Sequence, residues 1–171
     1  MKGRMIEATY YDTEGNRTTI NSGYARMTRK YDESGNVIEE AYFGINDEPV
    51  LHKSNKYHRI VRTWQDKNHA TSEAWFDVDD QPMAISNTHV KVTREYDDRG
   101  NKIVEEYYGA DGEPIALKAK YDEIRQEFND ENLVVVIRYY LDGEPVQCKD
   151  GYDEQRKRGY PFQGICAIMQ G

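Results

Sequence analysis

The residues with the reach for acid–base or metal chemistry are four histidines and a few groups of carboxylates. The histidines are His52, His58, His69 and His89; the carboxylates include Asp77, Asp79 and Asp80, the run Asn46, Asp47 and Glu48, and the pairs Glu39-Glu40 and Glu105-Glu106. A metal centre needs three or four such side chains converging on one point. A calcium loop needs oxygen ligands at fixed offsets, with a glycine and a closing glutamate. General acid–base work needs two carboxyl groups in one site. These requirements are not met in the sequence: the acidic runs lack the calcium-loop spacing, and adjacent strand residues point to opposite faces, so Glu39-Glu40 and Glu105-Glu106 do not share a site. The histidines fall at different phases of the period that organises the chain and read as exposed loop and strand residues. No P-loop, dinucleotide fingerprint, nucleophile elbow or zinc-protease motif occurs. No catalytic residue, cofactor or metal is therefore expected.

What recurs is aromatic. Ring pairs stand at Tyr10-Tyr11, Tyr42-Phe43, Trp75-Phe76, Tyr107-Tyr108 and Tyr139-Tyr140, in steps of 32, 33, 32 and 32 residues. A ring before a polar turn residue falls at Tyr31-Asp32, Trp64-Gln65, Tyr96-Asp97 and Phe128-Asn129, and an acid or amide precedes proline at Glu48-Pro49, Gln81-Pro82, Glu113-Pro114 and Glu144-Pro145. Three marks on one spacing imply about five copies of a roughly 32-residue unit over residues 1–158. Tyr42, Trp75, Tyr107 and Tyr139, with Tyr31, Trp64 and Tyr96, make the candidate binding face. Regular rings can stack on sugars or on an extended peptide while Arg and Glu supply directional hydrogen bonds. The competing reading makes the rings the core; tyrosine serves both, because its ring packs while its hydroxyl stays wet.

The elements that must position those rings are strands. The 171 residues include 14 Tyr and only four Leu, and 37% are hydrophobic. Such a chain reads as β structure with thin, amphipathic burial rather than a helical bundle. Each short apolar run is bounded by turn chemistry, as in Glu33-Ser34-Gly35-Asn36, Asp98-Arg99-Gly100-Asn101 and the Asp-Gly-Glu-Pro stretches at 111–114 and 142–145. Closing a hairpin at residues 33–36 places Met27 opposite Tyr42, Arg29 opposite Glu40, Tyr31 opposite Ile38 and Asp32 opposite Val37. The same arithmetic pairs Ile60 with Trp75, Arg62 with Glu73, Val92 with Tyr107, Arg94 with Glu105, Ile124 with Tyr139 and Gln126 with Ile137. A helix over residues 122–128 is the local alternative. The expected fold is all-β: tandem hairpins forming an elongated, twisted antiparallel sheet or solenoid-like array, with a closed barrel left open as an alternative.

The net charge of −8 argues against nucleic acid, whose phosphates require clustered, unneutralised Lys and Arg. No membrane span or targeting segment is read. Cys148 and Cys166 form no disulfide framework and lack zinc spacing. Residues 159–171 leave the period and turn apolar at Ile165–Met169, reading as a capping strand or the truncated start of another domain.

The turns Tyr31–Asn36 and Tyr96–Asn101 resemble the tyrosine-aspartate (YD) repeats of bacterial cell-surface and toxin-shell proteins, and are similar to shorter hairpin repeats of antitoxin-like and wall-associated bacterial proteins. The resemblance covers most of residues 5–158. It implies β-hairpin units with structural or binding roles, no catalytic residues to carry over, and a bacterial origin. The unit here is longer and carries a Gly-Glu-Pro turn, which sets it apart. The expectation is a non-catalytic module that binds protein or glycan along its aromatic face; the alternative is a structural element that self-associates into homo-oligomers through its terminal units. Compartment stays open, with the cell surface or secretion favoured if the chain belongs to a longer bacterial protein.

Overall fold

A computed structural model describes residues 4–85 and 88–147 and divides the chain into two compact units, Met1–Ile85 and Ser86–Gly171. The expected role of residues 159–171, and both cysteines, lie outside the described residues. Among those described there is no helix, and so none long and apolar enough to cross a membrane. The first unit holds β1 (Glu7–Thr9), β2 (Arg26–Tyr31), β3 (Val37–Phe43), β4 (Arg59–Trp64) and β5 (Ala70–Phe76). The second holds β6 (Lys91–Tyr96), β7 (Lys102–Tyr108), β8 (Glu123–Phe128), β9 (Val134–Leu141) and β10 (Glu144–Val146). Within each unit consecutive strands are antiparallel neighbours, and the first does not pair with the last, so neither unit is a closed barrel. The all-β class is thus established. Residues 123–128, where a helix was the alternative, form β8.

The four long hairpins share one pairing pattern. Met27 faces Tyr42 and Arg29 faces Glu40; Ile60 faces Trp75 and Arg62 faces Glu73; Val92 faces Tyr107 and Arg94 faces Glu105; Ile124 faces Tyr139 and Gln126 faces Ile137. Near the turn the expected register fails. A bulge after Lys30 puts Tyr31 opposite Val37 instead of Ile38, and Asp32 leaves the strand for the loop. The same bulge precedes Trp64, Tyr96 and Phe128. One extra residue on the second strand is the geometric cost of closing this loop, and it sharpens the local twist.

The loop itself explains the bulge. Asp32 and Asn36 exchange a backbone bond from the Asp32 N–H to the Asn36 carbonyl at 3.0 Å, and the Gly35 N–H reaches the Asp32 carbonyl at 3.1 Å. The Asp32 carboxylate then accepts the Asn36 N–H at 2.8 Å and its side-chain amide at 2.7 Å. Gly35 sits at φ 95°, where a Cβ would be strained and would also run into the Arg4 guanidinium. The loop recurs at 12–16 and 97–101, and again at 129–133, where Asn129 replaces the aspartate and Asn132 takes the positive φ. The turns that precede proline, at 44–48, 77–81 and 109–113, close with the same backbone pattern. At 142–143 one residue fewer separates ring pair and proline, and the loop collapses to a two-residue turn. Asp142 and Gly143 are both at positive φ and lengthen the ladder into β10.

The core is thin, as expected, and lies on one face. Met27, Tyr42, Ile60 and Trp75 fill it in the first unit, and Val92 and Tyr107 in the second. The connections between hairpins fold their own rings back onto this face. Tyr24 packs at a tilt against Tyr42, 4.8 Å between centroids, and His52 lies 4.9 Å from the same ring. In the second unit His89 meets Tyr107 at 5.0 Å and Tyr121 meets Tyr139 at 4.8 Å. A lone hairpin is marginal in water; rings from the connections supply the second layer that the strands alone lack.

Candidate binding face

The candidate face divides into two ring series with different surroundings. Tyr42 is 4% exposed, and Trp75 and Tyr107 are each 9% exposed, so these rings are packed in the core. Tyr139 is half-buried. The Tyr42 hydroxyl donates to the Glu40 carboxylate and the Tyr107 hydroxyl to Glu105 at 2.5 Å. Burial and the adjacent carboxylate push both phenols well above the ordinary tyrosine range. The other series, Tyr31, Trp64 and Tyr96, is half-buried near the turns. There the Tyr31 hydroxyl donates to the Met5 carbonyl at 2.8 Å and the Trp64 indole N–H to the Val37 carbonyl at 2.9 Å, each tying its strand to the preceding segment.

On the core face, beside each buried ring, lies an ion pair. Arg29 meets Glu40 at 2.5 Å, Arg62 meets Glu73 at 2.9 Å and Arg94 meets Glu105 at 2.8 Å, all with less than a third of either side chain exposed where β2, β4 or β6 meets its partner strand. Lys102 also reaches Glu105 at 2.6 Å. Burial raises the Glu105 pKa, but its hydrogen bonds from Lys102, Tyr107 and Arg94 outweigh that and hold it below the ordinary value.

In the first unit this face opens into a trough of about 830 Å³. Arg29 and Glu40 form one wall, Arg62 and Glu73 another, and Trp64, Lys67, Arg4 and the loop backbone at residues 34–37 complete it. Arg4 donates to the Asp32 carbonyl at 3.1 Å and lies over the Tyr31 ring, but has no carboxylate partner among the described residues, and neither has Lys67. Four cations and two carboxylates thus share one depression on an acidic chain.

In each unit the opposite face carries cation–ring contacts that the sequence reading did not extract. Arg26 covers the Phe43 ring at 4.1 Å, Arg59 covers Phe76 at 4.0 Å, Lys91 covers Tyr108 at 5.0 Å and Arg125 covers Tyr140 at 4.4 Å. Two of these cations also bind the acidic turns: Arg26 meets Asp47 at 2.6 Å, and Arg59 bonds Asp80. The signal was present, because Arg26 is the cross-strand partner of Phe43 in the register already deduced. A second missed series, Tyr24, Tyr57, His89 and Tyr121, is spaced by 33, 32 and 32 residues and supplies rings from the connections.

The chemistry-bearing residues are dispersed. His58 is buried, not exposed as expected, with its ring edge-on to Phe43 at 5.2 Å; His52 lies tilted against Tyr42; His69 bonds the Asp66 carboxylate at 2.7 Å. Asp77 accepts the N–H groups of Asp79 and Gln81, Glu48 accepts that of Asn46, and Asp47 and Asp80 bind arginines. The turn carboxylates are thus engaged in closing and anchoring loops. Glu40 pairs with Arg29 on one face, while Glu39 pairs with Lys30 at 2.8 Å on the other. Among the described residues no three His, Cys, Asp or Glu side chains converge as a metal site. No family model matches the chain, and no curated protein or solved structure matches it either.

Proposed function

We propose that the chain is a non-catalytic module of tandem hairpin repeats, of the tyrosine-aspartate kind and bacterial, that binds protein or glycan along its aromatic-lined face. The trough of the first unit carries this reading, because it combines a ring, paired guanidinium and carboxylate groups, and cations without carboxylate partners. The repeat reading is supported by four hairpins with one register and one bulge at equivalent positions. In this reading Tyr42, Trp75 and Tyr107 hold the face up from beneath, Tyr139 occupies the equivalent place in the last hairpin, and Tyr31, Trp64 and Tyr96 lie nearer its rim. A ligand that binds the folded chain raises its melting temperature by mass action. A thermal-shift screen of glycans and peptides over the full chain is expected to yield a concentration-dependent rise that Trp64→Ala weakens. A flat response to every glycan and peptide at millimolar concentration contradicts the binding role.

One observation favours the second reading, self-association through the ends. Among the described residues β1 pairs with β2 alone, and in the residues flanking it Ile6 is 67% exposed, with Met5 and Tyr11 also exposed. An open edge with apolar residues is a template for another strand. Light scattering over a wide concentration range decides between the readings: growth that Ile6→Lys abolishes makes assembly the function, and a constant monomer mass removes it.

A further inference from the structure

We infer that the trough of the first unit is a subsite for a carboxylated saccharide, a sugar chain bearing uronic-acid groups. The inference rests on the binding role proposed above and names its ligand class. Three features of the trough converge on that chemistry. Its formal charge is positive on a chain whose net charge is −8, and the surplus comes from Arg4 and Lys67, the two cations without carboxylate partners among the described residues. Such groups favour a ligand with fixed negative charge.

Charge alone does not account for the walls. Glu40 and Glu73 line the same trough and repel a bare anion. A sugar answers them, because each hydroxyl donates as well as accepts. Glu40 receives bonds from Arg29 and Tyr42 and so uses two of the roughly four acceptor positions of a carboxylate. Arg29 and Arg62 are fixed in place by their ion pairs, which presents their remaining N–H groups to ring oxygens and hydroxyls without further ordering. The third feature is Trp64. Its N–H is engaged by the Val37 carbonyl, which fixes the ring in the trough lining as an apolar surface for the C–H face of a pyranose. A carboxylate for Arg4 and Lys67, hydroxyls for the Arg–Glu pairs and a flat apolar face for Trp64 are united in a uronic-acid residue.

The test is calorimetric titration of the full chain at low salt with a hexamer of galacturonic acid. Its fully methyl-esterified form and a hexamer of glutamate serve as comparisons. The acid hexamer is expected to bind about tenfold more tightly than its ester, the equivalent of one charge-assisted hydrogen bond of about 1.4 kcal/mol, and about tenfold more tightly than the glutamate hexamer, which keeps the carboxylates but lacks the hydroxyls and the pyranose face. Lys67→Ala and Arg4→Ala, both at positions remote from the core, are each expected to weaken it about tenfold. Equal affinity for the ester shows that charge is not read, and equal affinity for the glutamate hexamer shows that a sugar is not. Binding that both variants leave unchanged places the site elsewhere. No binding of the acid hexamer overturns the subsite, while a positive response to other glycans or peptides in the thermal-shift screen leaves the wider binding role standing.

Discussion

The hairpin of β2 and β3 and the hairpin of β8 and β9 close with the same register, yet they share few of the side chains that would be credited with setting it. In the first, Arg29 and Glu40 form a half-buried ion pair beside the buried Met27 and Tyr42. In the second, Gln126 and Ile137 stand at the ion-pair positions, and Ile124 and Tyr139 are only half-buried. Aspartate and glycine of the first turn become Asn129 and Asn132 in the second, but the backbone bonds and the bulge are retained. Register therefore does not need the arginine–glutamate pair: the five-residue loop and an aliphatic residue opposite a tyrosine are what the two hairpins share, while the ion pair and the burial of the ring set how much stability that register delivers.

The largest contrast is expected from the rings. Tyr42→Ala should cost about 3–5 kcal/mol in urea unfolding, as for truncation of a buried aromatic, and Tyr139→Ala less than half of that. Equal losses would mean that burial does not distinguish the two hairpins. Next is the ion pair. Glu40→Ala strands the Arg29 guanidinium and the Tyr42 hydroxyl and should cost about 1–3 kcal/mol. Installing the pair in the last hairpin, Gln126→Arg with Ile137→Glu, should change stability by about 1 kcal/mol or less and leave the register intact by NMR; a shifted register would return that role to the side chains. On the opposite face Lys91→Ala removes one cation–ring contact and should cost about 0.5 kcal/mol. Arg59→Ala should cost more, because Arg59 also holds Asp80.

The smallest expected effect concerns the turn aspartates. The Asn101 side-chain amide, with the Asn101 and Arg99 N–H groups, outweighs the opposing desolvation and holds the Asp97 carboxyl below its ordinary pKa. Its contribution is therefore present above the unfolded value of about 3.8 and is lost as pH falls through the lower folded value. Asn129 shows that asparagine supports the same loop. Asp97→Asn should then show a small deficit in melting temperature at pH 7 that vanishes in acid. A deficit independent of pH would mean that loop geometry, and not charge, is lost.

Much of the fold was legible because hairpin register is local arithmetic. Once residues 33–36 are read as a turn, the Met27–Tyr42 and Arg29–Glu40 pairs follow by counting. The bulge at Tyr31 was not legible, since it depends on how a five-residue loop closes. Nor did proline signal a separate loop type: the turn at 109–113 has the backbone of the turn at 97–101, and only the missing residue before Asp142 makes a different one. The trough was legible in part. Trp64 belonged to the candidate face, but Arg4 and Lys67 reach it from outside the strands, where no periodicity marks them.

The central claim is that one loop imposes one register on hairpins with and without the core-face arginine–glutamate pair. Met27 and Tyr42 form a pair whose backbone groups point away from each other: the Tyr42 N–H and carbonyl bond His58 and Val50 instead. Their Hα atoms are therefore close. The direct measurement is the set of cross-strand Hα–Hα nuclear Overhauser effects in the labelled full chain. Strong effects are expected for Met27–Tyr42, Ile60–Trp75, Val92–Tyr107 and Ile124–Tyr139 alike. A strong set in the three hairpins that carry the core-face arginine–glutamate pair, with Ile124 shifted to a different partner in the fourth, would contradict the account and return the register to that pair.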